Sequence, residues 1–360
     1  MIERRKTRTV MVGKFAIGSL NPVRMQSMTK TDTARVDDTV RQINDLEKAG
    51  CEIVRVAVRH LEAAKAIRKI KEGINIPLVA DIHFDSKLAI ESIQSGADKI
   101  RINPGNMSIE GMREVASAAV EANIPVRIGI NSGSLPDGVK PQENEANAMV
   151  KLALQSVDLL REEGLEDVIV SLKASDVITT VIACREIALK TDCPLHLGVT
   201  AAGLPADGVV RSSIGMGSLL LDGIGDTIRV SLTGDPVCEI DTAKRILSSL
   251  GLRDFGPEII ACPTCGRCRV DLVSMVKELD EKIKDCRFQK DVKSETKETG
   301  KSFTIALMGC EVNGPGEAKN ADIGIAFGDG KGVIFKCGEV VKTVKADSAI
   351  DELLKMIEEL

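Results

Sequence analysis

The sequence predicts an α/β protein, a (β/α)8 barrel of the TIM type followed by a small α+β domain. Short apolar, β-branched runs recur eight times in roughly the first 250 residues, and longer segments with helical periodicity separate them. Several helical segments end in glycine, as at Gly50, Gly96 and Gly164, which is typical of the residue just past a helix C-terminus. Strand followed by helix, eight times over, is the pattern of this barrel.

The predicted barrel strands are regular enough to be assigned one by one. They fall at residues 22–28, 52–58, 77–84, 99–105, 125–131, 167–175, 195–200 and 226–232. An open, doubly wound sheet is the alternative arrangement of such units. Neither a P-loop nor a GxGxxG motif follows any of these runs, which weakens that alternative.

The pattern changes after about Gly256, so we predict a barrel domain over residues 1–255 and an α+β domain over residues 256–360. A charged stretch at 290–302 is interpreted as a solvated loop. The other predicted elements are a helix over 271–284, strands near 303–309, 321–327 and 332–338, and a closing helix over 346–360.

The bulk composition limits the classes of function. The net charge is −5 and the chain has neither Trp nor Tyr, which argues against binding of nucleic acid. No apolar run is long enough to span a membrane, and the N-terminus lacks the apolar region of a signal peptide. We therefore expect a cytoplasmic protein whose cysteines are reduced. Six isolated cysteines are interpreted as small buried residues: Cys51, Cys184, Cys193, Cys238, Cys286 and Cys337.

Basic residues stand at the ends of the predicted strands, where barrels of this type carry their chemistry. Unpaired cations are costly to bury, so each one could instead pair with a neighbouring carboxylate. Five together, with few acids nearby, favour an anion with more than one phosphate group, because Arg forks match phosphate oxygens. The cations are Arg55, Arg101, Arg127, Lys173 and Arg229, and they are accompanied by Asp81, His83, Asn103, Asn131 and Ser231.

Two cysteine loops follow the barrel, "ACPTCGRC" at 261–268 and "GCEVNGPGE" at 309–317. A thioredoxin-like pair, a zinc site and an iron–sulfur cluster compete as explanations. The ferredoxin pattern breaks off because position 272 is Leu. The second loop is rich in Gly and Pro, so its backbone could approach a bulky group, which favours a cluster. Spacing alone leaves Cys262, Cys265 and Cys310 with either Cys268 or Glu317 as the ligands.

The motifs together carry a family resemblance. "CPTC" and "GCEVNGPGEA", after a barrel with "VRVAV", "RINPGN", "RIGINSGSL", "LHLGVT" and "GIGDTIRVSL", closely resemble the 4-hydroxy-3-methylbut-2-enyl diphosphate synthases. These are the bacterial iron–sulfur enzymes of the non-mevalonate isoprenoid pathway. The resemblance spans nearly the whole chain, and its motifs are highly specific.

The resemblance implies a reaction and its cofactor. The reaction is the reductive opening of 2-C-methyl-D-erythritol 2,4-cyclodiphosphate with two electrons and loss of water. A 4Fe–4S cluster would be held by Cys262, Cys265, Cys310 and Glu317, which leaves Cys268 outside the ligand set. Flavodoxin or ferredoxin is the implied electron donor, and a head-to-tail homodimer is the implied assembly. The implied substrate-binding residues are Arg55, Arg101, Arg127, Asn131, Lys173, Arg229 and Ser231.

One position departs from the family pattern. Relatives have a glutamate that handles protons in "TEAG", whereas this chain reads Thr200-Ala201-Ala202-Gly203. Either an engineered Glu→Ala substitution traps a bound state, or a natural lineage uses another acid. The otherwise intact motifs favour the first explanation, so we expect a chain that binds substrate and turns it over poorly.

Two other classes stay open on the residues alone. One is a zinc-dependent, aldolase-type barrel that binds a sugar phosphate at its cationic mouth. The other is an iron–sulfur redox sensor or electron carrier, which would leave the basic residues of the barrel without a role.

Overall fold

A computed structural model describes residues 2–19, 21–135, 145–284, 303–312, 314–317 and 321–359. The chain divides into two compact units, Met1–Arg253 and Asp254–Leu360. The stretch 290–302, interpreted above as a loop, lies outside the described residues, as does Cys286. For Glu317 the backbone is described and the side chain is not.

The first unit is a barrel of parallel strands alternating with helices, which confirms the predicted fold class. Its strands are β3 (Arg24–Met28), β4 (Ile53–Ala57), β5 (Leu78–Asp81), β6 (Lys99–Ile102), β7 (Val126–Asn131), β8 (Val168–Lys173), β9 (His196–Leu197) and β10 (Thr227–Ile228). Its helices are α1 (Val36–Lys48), α2 (Leu61–Glu72), α3 (Ser86–Gln94), α4 (Ile109–Ala122), α5 (Glu145–Glu162), α6 (Val177–Lys190), α7 (Pro205–Leu221) and α8 (Val237–Ser249).

The strands close into a ring. Parallel pairing runs from β8 through β7, β6, β5, β4 and β3 to β10 and β9. An isolated parallel bridge between Val170 and Leu195 joins β8 to β9 and completes the circle. The carboxyl ends of all eight strands therefore face the same way, as the predicted mouth requires.

A short N-terminal hairpin, which the sequence analysis did not predict, lies at the opposite end of the barrel. Its strands β1 (Val10–Val12) and β2 (Phe15–Ile17) pair antiparallel. Hairpin residues such as Val12 and Ile17 pack with Ile53, Val79 and Ile169, which come from the first residues of barrel strands. These side chains form an apolar floor below the polar interior.

The second unit is a five-stranded sheet with helices. Its strands β11 (Glu258–Ala261), β12 (Thr304–Met308), β13 (Ile323–Gly328), β14 (Lys331–Lys336) and β15 (Glu339–Lys345) lie in that order. The first three are parallel and the last two antiparallel. The helices are α9 (Leu272–Lys284), α10 (Gly314–Glu317) and α11 (Ala349–Glu358). The sequence analysis identified β12, β13, β14, α9 and α11 but missed β11 and β15.

Two tight turns explain why β13, β14 and β15 follow one another so closely. Asp329 and Gly330 both have positive φ, as do Cys337 and Gly338. Two-residue hairpins need such backbone angles to match the twist of the strands. Cys337 is therefore an exposed turn residue, so the interpretation of this cysteine as a small buried residue is wrong. It is also wrong for the exposed Cys238, whereas Cys51, Cys184 and Cys193 are buried.

Candidate functional site

A cavity opens at the carboxyl ends of the barrel strands. It collects all seven residues that the resemblance assigned to the substrate, together with Asp81 and His83. Residues that the sequence analysis did not single out also reach it, among them Ser171 and Thr200. The lining consists of Arg55, Asp81, His83, Arg101, Arg127, Gly129, Asn131, Ser171, Lys173, Thr200, Arg229 and Ser231. Asn103 does not line it and instead donates from Nδ2 to Ser134 Oγ at 2.8 Å.

Asp81 organises one side of this mouth. Its Oδ1 accepts from Arg101 Nη1 at 3.0 Å, and its Oδ2 lies 3.7 Å from Arg55 Nε. Arg101 also donates to His83 Nε2 at 2.6 Å and to the Gly129 carbonyl at 2.8 Å. A Cβ atom at Gly129 would collide with the Arg101 guanidinium, so the glycine leaves room for that side chain.

A second carboxylate serves the opposite side. Glu239, on α8, lies 3.6 Å from Arg229 Nη2 and 3.6 Å from Lys30 Nζ, and it accepts from Ser27 Oγ at 2.9 Å. Pairing with acids, the alternative to an anion site, therefore applies to Arg55, Arg101 and Arg229. Within the described ranges, neither Arg127 nor Lys173 has a carboxylate partner.

The pKa values of the residues in the mouth reflect this excess of cations over carboxylates. Burial, and then the charges of Arg127 and Arg55, hold the pKa of Lys173 well below its ordinary value. Burial and then Arg55 and Arg101 lower the pKa of Arg127 in the same direction. Burial alone would raise the pKa of Asp81, but Arg55 and Arg101 outweigh it and keep that pKa well below its usual range. Cations thus outnumber acids, and a polyanion would relieve their mutual repulsion.

A second candidate site lies in the other unit, where the cysteine loops meet. Strands β11 and β12 are parallel neighbours, with Ala261 level with Leu307. Cys262 and Cys310 follow the ends of these strands, so the sheet brings them to one edge. The pocket there is lined by Cys262, Pro263, Cys265, Arg267, Met308, Gly309, Cys310 and Gly314.

Backbone groups hold the two loops together. The Gly309 N–H donates to Cys262 Sγ at 3.2 Å, and the Arg269 N–H donates to the Gly309 carbonyl at 2.9 Å. The three pocket thiols differ in exposure, since Cys310 is buried, Cys262 half-buried and Cys265 exposed. The hydrogen bond from Gly309 thus fixes the position of the Cys262 sulfur beside the other loop.

The thiol of Cys268 forms its hydrogen bond within its own loop. Its Sγ donates to the Val270 carbonyl at 3.2 Å and packs against the apolar core of the second unit. It does not appear among the residues that line the thiol pocket. Its sulfur nevertheless lies beside Gly309, which lines that pocket, so the exclusion of Cys268 from the ligand set stays a prediction.

The residues present fit an iron–sulfur cluster. Three thiols face one pocket, and the glycines beside them leave the backbone free to approach a bulky group. Across the described residues, no three Cys, His, Asp or Glu side chains converge on a single metal ion. A 4Fe–4S cluster does not need such convergence, because each thiolate binds a different iron.

Ala201, at the departure from the family pattern, is exposed and has a φ of 49°. Its neighbour Thr200 lines the mouth, whereas Ala201 is not among the lining residues. A left-handed backbone costs a residue with a Cβ roughly 1–2 kcal/mol. The backbone here is therefore strained at the entrance to the mouth.

Comparison with protein families assigns the two units. The family model described as the GcpE TIM-barrel domain matches residues 7–244, and that of the GcpE protein C-terminal domain matches residues 258–359. The chain belongs to the GcpE family. Curated members of this family that resemble it are named 4-hydroxy-3-methylbut-2-en-1-yl diphosphate synthase (flavodoxin).

The similarity to these GcpE relatives extends over the full length. The protein from Thermodesulfovibrio yellowstonii is 50% identical over 360 residues, which cover 99% of each chain. That from Caldanaerobacter subterraneus is 50% identical and covers 100% of this chain and 99% of the relative. That from Clostridium perfringens is 49% identical, with 99% of each chain covered. The chain therefore belongs, over its full length, to a family whose curated members carry the name of this synthase.

Solved structures of dihydropteroate synthase resemble about two thirds of the chain. Dihydropteroate synthase from Stenotrophomonas maltophilia superposes with a TM-score of 0.53 at 14% identity, over 68% of this chain and 98% of that one. The Yersinia pestis enzyme gives 0.52 at 11% identity, over 68% of this chain and 100% of the other. At such identities the likeness concerns the fold only. Among the described helices, none is both long and apolar enough to cross a bilayer.

Proposed function

We propose that this chain forms 4-hydroxy-3-methylbut-2-en-1-yl diphosphate by the reductive opening of 2-C-methyl-D-erythritol 2,4-cyclodiphosphate. The observation that carries the proposal is the pairing, in one chain, of a barrel mouth with excess positive charge and a pocket with three thiols. A cyclic diphosphate suits the mouth, and a two-electron reduction needs the kind of cofactor that the thiols suit.

The mouth would bind the diphosphate through Arg55, Arg101, Arg127, Asn131, Lys173, Arg229 and Ser231. Arg127 and Lys173 would contribute most, because neither forms an ion pair with a carboxylate among the described residues. Among the described acids, only Asp81, which lies beyond ion-pair distance, acts on Arg127 through its charge. These groups are fixed before the substrate arrives. They would offset negative charge that develops as the ring C–O bond breaks, and they would need little reorganisation to do so.

The thiol pocket would hold a 4Fe–4S cluster through Cys262, Cys265 and Cys310, with Glu317 as the fourth ligand. When bound, the cluster supplies the two electrons and an iron that acts as a Lewis acid. The hydrogen bond from the Gly309 N–H would help to hold the Cys262 sulfur in place. Cys268, which donates to a carbonyl within its own loop, would take no part.

The electron donor in this proposal is a flavodoxin, because the relatives carry that word in their names. Ferredoxin is the other expectation from the sequence. A cytoplasmic location belongs to the same proposal, since free thiols must stay reduced to bind iron.

A head-to-tail homodimer completes the proposal, and the surface of the barrel supports self-association. Helices α6 and α7 are neighbours and present large apolar side chains to solvent, with exposed fractions between 49% and 88%. Large contiguous apolar patches on a protein surface often mark sites of interaction with another protein. The residues are Ile178, Ile182, Leu189, Val210, Ile214 and Leu221. A monomer in sedimentation equilibrium would contradict the dimer.

The alanine at position 201 leads us to propose that turnover is impaired while substrate binding is kept. The decisive experiment compares this chain with its Ala201→Glu variant, both loaded with iron and sulfide, in a turnover assay with reduced flavodoxin. We expect both to bind the cyclic diphosphate and Ala201→Glu to turn over about 100-fold faster, the scale of a restored proton-transfer group.

The outcomes separate the parts of the proposal. Equal and high turnover by both proteins would show that another acid serves this chain. Absence of product from both, with bound zinc in place of iron and sulfide, would overturn the reaction itself. Binding of the cyclic diphosphate by the wild type, measured by calorimetry, tests the mouth independently of the cluster.

A further inference from the structure

A layer of polar side chains lies inside the barrel, below the residues that line the mouth. Gln26 on β3, Lys99 on β6, Arg127 on β7 and His196 on β9 form this inner layer. Their exposed fractions are 1%, 0%, 1% and 0%. The proposed reaction assigns a role to Arg127 alone, and nothing above accounts for the other three.

Strand geometry places these residues on the inward face of the barrel. Lys99 and Arg127 stand two residues before Arg101 and Gly129, which line the mouth. Side chains two apart on a strand share a face, so Lys99 and Arg127 point into the barrel one step deeper.

The same spacing holds for the other two members. Gln26 precedes Met28, whose sulfur accepts from Arg55 Nε at 3.1 Å. His196 precedes Gly198, where a Cβ atom would lie 2.8 Å from Lys173 Nζ. The inner layer is therefore bounded by the mouth above and by the apolar floor below.

The polar atoms of the inner layer have no hydrogen-bond partners within the described part of the chain. They are Lys99 Nζ, Arg127 Nε and Nη1, His196 Nε2, and both Gln26 amide atoms. His196 Nδ1 does have a partner, since it lies 2.8 Å from Thr227 Oγ1. Buried polar groups in native proteins are almost always satisfied, so the unpartnered ones call for a bound water or ion.

The balance of donors and acceptors distinguishes an ion from water. Arg127 can only donate, as can Lys99 when it is protonated. When the Thr227 hydroxyl donates to His196 Nδ1, the ring proton lies on Nε2 as a further donor. Gln26 Oε1 is then the sole free acceptor in the layer. A water molecule brings two more donors into this excess, whereas an anion only accepts and also offsets the charge.

The charges around the inner layer also favour an anion over a water molecule. Burial, followed by Arg127 and Arg55, holds the pKa of Lys99 well below its ordinary value, and no acid appears among the causes. Burial and then Lys173, Arg127 and Lys99 lower the pKa of His196. Lys99, Arg127 and an imidazole thus share the barrel interior. Among the described residues, Asp81 offsets part of the charge of Arg127, and no acid acts on Lys99.

We propose that the barrel interior binds a small inorganic anion of halide size, held by Lys99, Arg127, His196 and Gln26 beneath the mouth. Arg127 belongs to both places, so it links the anion to the substrate cavity. The site is separate from the diphosphate site, and its existence does not depend on the proposed reaction.

Bromide tests this directly, because it scatters anomalously and replaces chloride. Crystals of the cluster-loaded protein are soaked in bromide, with inorganic diphosphate added to fill the mouth. We expect an anomalous peak within hydrogen-bond distance of Lys99 Nζ that persists when diphosphate is present. Water density at that point, or a peak that diphosphate removes, would overturn the proposal.

A solution measurement keeps the test independent of crystal concentrations. Chloride is exchanged for gluconate, which is too large for the interior, at constant ionic strength. For a site of about millimolar affinity, the melting temperature of the wild type should rise by about 5 °C between about 1 and 100 mM chloride.

Two variants complete the solution experiment. Lys99→Met should lose the chloride dependence, and Lys87→Met, at an exposed position on α3, should keep it. An equal chloride response in Lys99→Met and the wild type would overturn the proposal. Should Lys99→Met fail to fold, the bromide peak in the wild type still decides.

Discussion

The barrel mouth and the thiol pocket differ in the elements that carry their side chains and in how deeply those side chains are buried. The mouth is built on strands whose ends are fixed by the ring. Among the residues that the structure describes, its buried Arg127 and Lys173 form no ion pair with an acid. The thiol pocket is built on loops at the edge of a sheet, and its cysteines range from buried to exposed. The strand ends hold the cations of the mouth close together, whereas the loops of the thiol pocket leave Cys265 exposed.

The difference shows how each site depends on its ligand. A polyanion would stabilise the mouth by removing repulsion between groups that are already in place. A cluster would instead tie together two loops that hydrogen bonds through Gly309 hold at present. Changes at the two sites should therefore separate stability from function in different ways.

The largest expected effect is at the thiol pocket. Cys265→Ser removes a thiolate that the proposed cluster needs, so iron content and turnover should fall to background. Cys268→Ser is the matched control from the same loop, and it should retain both. Iron and sulfide analysis together with the turnover assay would check this pair. Loss of iron from Cys268→Ser would show that Cys268 is a ligand after all.

Lys173→Met should separate stability from binding at the mouth. Losing one charge-assisted contact should weaken diphosphate binding by about 10- to 100-fold. The melting temperature should stay level or rise, because the removed cation has no carboxylate partner and is surrounded by arginines. Calorimetric titration and thermal unfolding measure the two effects, with the exposed Lys69→Met as the control. A clear fall in the melting temperature would contradict the inference that Lys173 and the surrounding arginines repel one another.

Asp81→Asn should lower stability, in contrast to Lys173→Met. We expect it to destabilise the barrel by about 3 kcal/mol, because it leaves Arg55 and Arg101 without their shared acid. Asp81 has a pKa below its ordinary value in the fold. Its contribution is therefore complete above the ordinary aspartate pKa of about 4 and is lost as the pH falls through the lower folded value.

Denaturant unfolding followed by circular dichroism would measure the effect of Asp81→Asn between about pH 3 and 7. The gap between variant and wild type should be constant above about pH 5 and should narrow below about pH 4. Asp158→Asn, at an exposed position on α5, should show no such gap. A gap that widens in acid would reverse the assigned direction of the pKa.

The smallest effects compare one glycine from each site. A Cβ atom at Gly129 would strike the Arg101 guanidinium, and one at Gly309 would strike the Cys268 sulfur. Each alanine should cost about 1–3 kcal/mol of stability through overpacking. Gly129→Ala should also weaken diphosphate binding, and Gly309→Ala should weaken retention of iron. Gly133→Ala and Gly266→Ala are the controls, since a Cβ there meets nothing within 4 Å.

The sequence by itself determined the barrel, the cations and the cysteines. Apolar runs alternate with helical periods whatever the final packing, so eight strands could be assigned from local pattern. Because parallel strands end at one rim, the proximity of residues at strand ends, such as Arg55 and Lys173, could be predicted from the sequence. The family motifs added the ligand set, which spacing alone had left open between Cys268 and Glu317.

Only the tertiary structure decided which charges are paired. Asp81 and Glu239 reach their arginines from other elements, and nothing local predicts that Arg127 and Lys173 lack such a partner. The direction of Cys268 and the depth of Lys99 and His196 were equally hidden. These properties depend on which distant elements the folded chain brings side by side, and the pattern within one strand or helix does not specify its neighbours.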